Sequence, residues 1–192
     1  MKIKFAFILI LSILSSSAMA ETQSLQASLP NGNYPKGDVK GARFTFIYGQ
    51  TYKVSGANFT LFGISDVDHF TGAELALLGA NRNRVEMQGF QFGVANWNDV
   101  KATGASLGMF NYTGEFYTGA QLGFVNYNHG LMKGAQLGLV NFANHLTGLQ
   151  FGIVNATNRI DSGVQIGLIN YDKSGTLLGK NIPVLPIINA RF

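Results

Sequence analysis

From Gly72 onward, the apolar and polar residues fall into a pattern that returns about every fifteen positions. Gly119-Ala120-Gln121-Leu122-Gly123-Phe124-Val125-Asn126 recurs as Gly134-Ala135-Gln136-Leu137-Gly138-Leu139-Val140-Asn141. It recurs again from Gly148 to Asn155 and from Gly163 to Asn170, giving the consensus G-x-Q-x-G-x-x-N. The copies from Gly89 and Gly104 keep the frame, the second with Ser106 in the Gln slot. The Asn slot gives the clearest period: Asn81, Asn96, Asn111, Asn126, Asn141, Asn155 and Asn170, in steps of 15, 15, 15, 15, 14 and 15. The segments from Gly41 and Gly56 read as degenerate copies and the one from Gly72 as irregular, with Glu74 in the Gln slot. Nine copies follow, with a divergent C-terminal element from Ile182 to Phe192 as a tenth. A fixed period of this kind marks a repeat architecture.

Each copy predicts a strand. Two glycines four apart in every unit disfavour helix, and the β-branched and aromatic content favours extended chain. Strict alternation from Phe116 to Tyr127 puts Phe116, Thr118, Ala120, Leu122, Phe124 and Asn126 on one face. Tyr117, Gly119, Gln121, Gly123, Val125 and Tyr127 then lie on the other. Turn-formers such as Asn128-His129-Gly130 and Asp172-Lys173-Ser174-Gly175 separate the units. The fold class is all-β.

Two architectures accept a fifteen-residue strand-plus-turn unit. One is an antiparallel outer-membrane barrel of about ten strands, its apolar face toward lipid and a narrow lumen filled by Gly and Gln. Export, strand length, an even strand count and the terminal Phe192 favour it. The other is a parallel β-solenoid in which each unit is one coil, with Gln, Asn and aromatic ladders and Leu/Ile/Phe columns as core. The identical direction of every unit favours this one, because a barrel reverses alternate strands. The barrel is the leading expectation and the solenoid the alternative.

The N-terminus changes the picture of location. Lys2 and Lys4 precede an apolar run from Phe5 to Leu14, and Ala18-Met19-Ala20 supplies small residues at a cleavage point. This is the pattern of a secretory signal peptide over 1–20. Residues 21–40, with Pro30, Gly32 and Pro35, read as an irregular lead-in, and 41–192 as a single repeat domain. The formal charge of +4 includes the two signal lysines, and charged residues are only 12% of the chain, so nucleic acid is not an expected partner. With zero cysteines, a disulfide framework and thiolate chemistry are excluded.

The repeat, the signal peptide and the ending Pro183-Val184-Leu185-Pro186-Ile187-Ile188-Asn189-Ala190-Arg191-Phe192 together resemble bacterial surface-repeat proteins. These are exported Gram-negative proteins, largely uncharacterised. The resemblance spans roughly Gly72 to Phe192 and implies an outer-membrane or surface location. It implies no catalytic residue, cofactor or ligand.

Chemistry is otherwise sparse. His69, His129 and His145 fall in predicted turns with no nucleophile or acidic constellation around them, and no metalloprotease, Walker A or nucleophile-elbow motif occurs. No catalytic, cofactor or metal residue is assigned, and the chain is not expected to be an enzyme. Arg82, Arg84 and Glu86 form the densest charged patch, read as a solvated loop. The residues that recur are Gln91, Gln121, Gln136, Gln150 and Gln165, with Trp97, Tyr112, Tyr127 and Tyr171 following the Asn slot. They are the candidates for a lumen lining or a binding face, although repeat positions ordinarily serve the repeat itself. The expected partners are outer-membrane lipid, or a surface protein or glycan. Function is expected to be structural, adhesive or weakly pore-forming, with a secreted binding module as the alternative.

Overall fold

Parallel pairing of each repeat with the next, fifteen residues on, organises the whole molecule. The computed structural model describes residues 22–192, and the expected signal peptide over 1–20 lies outside them. The elements are β1 (Gln23–Leu29), β2 (Gly32–Tyr34), β3 (Val39–Asn98), β4 (Lys101–Thr113), β5 (Phe116–Phe151), β6 (Val154–Asp172) and β7 (Val184–Arg191). The 60 residues of β3 and 36 of β5 are not straight strands. They wind through several coils, and their corners keep an extended backbone that continues to hydrogen-bond above and below.

The register shows the stacking directly. Gly89 pairs with Gly104 and Gly104 with Gly119, Asn96 with Asn111 and Asn111 with Asn126, all in parallel. The same holds for Gln150 with Gln165 between β5 and β6. The fold is therefore a β-solenoid of about ten turns. It is not the antiparallel barrel that strand length and Phe192 favoured. A barrel needs neighbouring repeats to run in opposite directions, whereas these run the same way, so like residues stack on like. The uniform direction of the motif was the decisive signal.

Both ends are closed by reversal of direction. At the C-terminal end β7 lies antiparallel on β6, with Gln165 opposite Asn189 and Ile166 opposite Ile188. At the other end β1 continues the parallel stack onto β3, and β2 folds back antiparallel on β1. The segment read as an irregular lead-in thus supplies the first rung and its cover. Terminal units of a repeat stack differ from the rest because only one side has a neighbour.

The interior is narrow and mostly polar. One apolar column runs through it: Val39, Val54, Phe70, Met87, Ala102, Tyr117, Met132, Leu146 and Ile160 are all buried. Opposite it stand columns of amides and hydroxyls, among them Gln121, Asn126 and Asn128, each fully buried. The corner after each second glycine sets this arrangement. Leu122, Phe124, Val125 and Tyr127 are at the surface, while Gln121, Asn126 and Asn128 are inside. Two consecutive outward residues, Phe124 and Val125, shift the alternation by one position. Strict period-two reading across the corner therefore misplaces Val125, Asn126 and Tyr127.

The first glycine of each unit makes the tight turn of the coil. Gly119 has φ 130°, and a Cβ there would lie 1.9 Å from the carbonyl oxygen of Gly104. Only glycine fits this conformation and this approach together.

Candidate functional site

The buried amides form two ladders. In one, Asn81 Nδ2 donates to Asn96 Oδ1 (3.0 Å), Asn96 to Asn111 (2.9 Å), Asn111 to Asn126 (2.8 Å) and Asn126 to Asn141 (2.8 Å). The row continues through Asn155 to Asn170. From Asn81 to Asn155 each Nδ2 also donates to a backbone carbonyl of the next coil, as Asn126 does to Leu137 at 3.0 Å, whereas Asn170 donates to Gly167 of its own coil. The second glycine of the motif makes room for this: a Cβ on Gly138 would lie 2.7 Å from Asn126 Nδ2. The second glycine and the Asn are thus one device.

In the other ladder the direction is opposite. Gln136 Nε2 donates back to Gln121 Oε1, Gln150 to Gln136 and Gln165 to Gln150, each at 2.8 Å. Asn189 of β7 donates to Gln165 Oε1 (3.1 Å) and its own Oδ1 accepts from Leu177 N–H (3.1 Å), which closes the row. Gln91 accepts from Asn98 and Ser106, so the serine substitution keeps a hydroxyl rung. Gln91, Gln121, Gln136, Gln150 and Gln165 are all 0% exposed. They fill the packed interior rather than lining an open face, because pairing with each other satisfies amides that burial would otherwise penalise.

The aromatic candidates do reach the surface. Trp97 stacks on Tyr112 (ring centroids 4.2 Å), Tyr112 on Tyr127 (5.9 Å) and Tyr127 on Phe142 (4.7 Å). Ala156 interrupts the column before Tyr171. The rings lie within 29° of parallel, so each covers the face of its neighbour and offers mainly an edge outward. Stacking of this kind stabilises the corner and leaves no open ring faces in mid-column for a planar or sugar ligand.

Charge gathers at the N-terminal coils, where the Gln column holds Arg43, Asn58 and Glu74. Arg43 Nε donates to Ser28 Oγ (2.9 Å) and Nη1 to Ser65 Oγ (2.8 Å), and burial pushes its guanidinium down to about 10. The Glu74 carboxylate accepts from Asn58 (2.8 Å), Asn83 (2.7 Å) and Gln91 (3.0 Å). Burial still holds its carboxyl above the usual range, against those three hydrogen bonds and the attraction of Arg43. The charged patch beside it is strand rather than loop: Arg82 pairs with Asp99 (2.9 Å), Arg84 with Asp66 (2.6 Å) and Lys101 with Glu86 (3.1 Å). His145 faces Asp161 at 3.2 Å on the surface, and His69 lies edge-on to Tyr52 at 5.2 Å. Among the described residues no group of three or more His, Asp or Glu is placed to hold a metal ion.

The surface that stands out is one the repeat reading assigned to lipid or to a core. The four x positions of G-x-Q-x-G-x-x-N make 36 positions over nine coils, from the Gly41 copy to the Gly163 copy. Every one is Ala, Val, Leu, Ile, Met or Phe. None of them is buried, while all nine residues of the Gln column between them are. Phe124 is 55% and Leu168 70% exposed. Over the second glycines this face is furrowed: a groove of about 510 Å³ runs between Phe92, Leu107 and Leu122 on one side and Val94, Met109 and Phe124 on the other. A smaller one of about 380 Å³ continues it over Thr45 and Thr60, between Phe44, Phe59 and Leu75 and Phe46, Leu61 and Leu77. β7 prolongs the face with Ile188, 48% exposed.

Sequence reasoning found the constituents of this face without finding its role. The signal was available in the motif, because four variable positions that are apolar in every copy are under a common physical demand. No family model, curated protein or solved structure matches the chain.

Proposed function

We propose that this chain is an exported, non-catalytic β-solenoid that serves as a binding module at the bacterial cell envelope, docking through its furrowed apolar face. The observation that carries the reading is the absence of any polar residue in 36 surface positions. Exposed apolar patches beyond a few hundred Å² mark interaction surfaces, and an uncharged sheet face left bare invites aggregation. A buried amide core needs no apolar exterior for its own stability, so the face answers to something outside the coil. Export rests on the Lys2–Ala20 pattern, and the envelope location on the resemblance to surface-repeat proteins. Among the described residues no helix is long and apolar enough to cross a membrane.

The test is fractionation of the native host carrying the wild-type chain or a Leu107→Ser/Leu122→Ser/Phe124→Ser variant. The wild type is expected in the envelope fraction. The variant, with unchanged circular dichroism, is expected in the soluble periplasmic or secreted fraction. An unaltered distribution would remove the face as the docking surface, and a cytoplasmic wild type would remove export.

A further inference from the structure

We infer that the occupant of this face is a second copy of the same chain, joined face to face about a two-fold axis lying in the interface plane. The inference rests on the docking reading above and names its partner.

Three observations carry it. The first is relief: two apolar ridges flank a groove floored by Gly93, Gly108 and Gly123. A ridge fits only a groove of equal pitch, and side chains along this one recur at the strand spacing of about 4.8 Å. A second copy presents the same pitch over the same number of coils, so its ridges fit the grooves that run from the Phe44 coil to the Phe124 coil. The packing is that of two sheets interdigitating about 10 Å apart. The second is area. Nine coils at about 4.8 Å and six extended residues at about 3.3 Å give a footprint roughly 43 Å by 17 Å. That is about 700 Å² per copy, within the range of stable specific pairs. The third is the rim. The column bordering the face ahead of each unit's first glycine carries Ser, Thr or Gln at seven of nine positions, with lysine only at Lys40 and Lys133. Elements that lie on a lipid surface flank their apolar side with Lys and Arg, and this rim is close to neutral. With no charge on the face to discriminate among partners, recognition falls to shape alone, and shape points to self-association.

The absence of cysteine makes the test clean. Ser106 belongs to the fifth of the nine coils, so Met109, 44% exposed on that coil, enters the groove on the same coil of its partner, beside its own counterpart. The full exported chain, purified without detergent, is expected to sediment at twice the monomer mass. Met109→Cys should form a disulfide-linked dimer on mild oxidation, whereas Lys133→Cys, on the rim, should not. Leu107→Glu/Leu122→Glu should halve the mass with unchanged circular dichroism. If that variant fails to fold, the wild-type mass and the Met109→Cys cross-link decide the matter. A wild-type monomer that floats with phosphatidylethanolamine/phosphatidylglycerol vesicles overturns the second copy and keeps the docking face. A monomer that binds no vesicle, with the serine variant fractionating like wild type, overturns both.

Discussion

The coils from Gly89 to Asp172 and those from Val39 to Glu86 solve the same packing problem in different ways. In the first region the Gln, Gly and Asn columns are nearly uniform, the Asn slot advances by 15, 15, 15, 14 and 15, and each Asn side chain donates to the next along the row. In the second, the Gln column reads Arg43, Asn58, Glu74, and the second-glycine column reads Thr45, Thr60, Ala76. The buried apolar column there advances by 15, 16 and 17 from Val39 through Val54 and Phe70 to Met87. Several buried polar atoms of this region, including Thr45 Oγ1, Thr60 Oγ1 and Asn58 Oδ1, have no partner within the chain. One corner is held by Ile47 at φ 71°, a conformation that L residues, and β-branched ones above all, rarely adopt. Repetition lets each amide satisfy the next. Where the repeat lapses, ion pairs, single hydroxyls and local strain take its place.

The sharpest way to break the regular half is at its glycines. Gly119→Ala sets a Cβ 1.9 Å from the Gly104 carbonyl oxygen at φ 130° and should cost about 4 kcal/mol or more, read as a fall in the urea midpoint. Gly49→Ala in the irregular half meets side chains instead, Ser28 Cβ at 2.3 Å and Arg43 Nη2 at 2.7 Å. Gly49 lies outside the left-handed region, so no backbone strain adds to these contacts and its cost should be about half as large. Equal losses at the two sites would erase the distinction between the halves.

Removing a rung is the next largest effect. Asn126→Ala leaves Asn111 without its side-chain acceptor and Asn141 Oδ1 without its donor. Buried groups left unpaired in this way should cost about 2–3 kcal/mol in chemical denaturation.

Glu74→Gln tests the charged half. Burial raises the Glu74 carboxyl above its ordinary value of 4.5. The folded state therefore holds the proton more tightly than the unfolded one. Stability should be greatest below pH 4.5 and fall as the pH rises from there through the raised value. The amide variant should abolish that slope. A persisting slope in thermal melts across this window would assign it to another group. Smallest of all, Ile47→Gly should relieve the φ 71° corner and stabilise by about 1 kcal/mol, visible as a shift of a few degrees in melting temperature.

Much of this was legible in the residues. The period, the Asn slot and the all-β class follow from the motif alone, as does the solenoid once its uniform direction is weighed above Phe192. The assignment of faces did not follow, and the reason is local. Alternation is reliable along a straight strand, but Phe124 and Val125 both point outward, and a corner of that kind carries no separate sequence mark. The barrel reading had Gln121 inside and Leu122 outside correctly but the wrong pairing. The solenoid reading had the pairing correctly and put Leu and Phe in the core. The interior role of Gln91 to Gln165 was equally hidden, since a Gln column looks the same whether it faces water or its own copies. The fully buried Glu74 was seen only as a departure from consensus, and its three amide donors come from coils whose register shifts could not be counted in advance.

The two amide rows run in opposite senses: Asn side chains donate toward the C-terminal cap and Gln side chains toward the N-terminal one. Each row taken alone would sum its amide dipoles head to tail, as a helix sums its peptide groups, and would build a partial charge at either end. Side by side they largely cancel. A coil gained or lost by duplication of fifteen residues adds or removes one dipole pointing each way, so the length of this molecule can change without building an electrical pole against either cap.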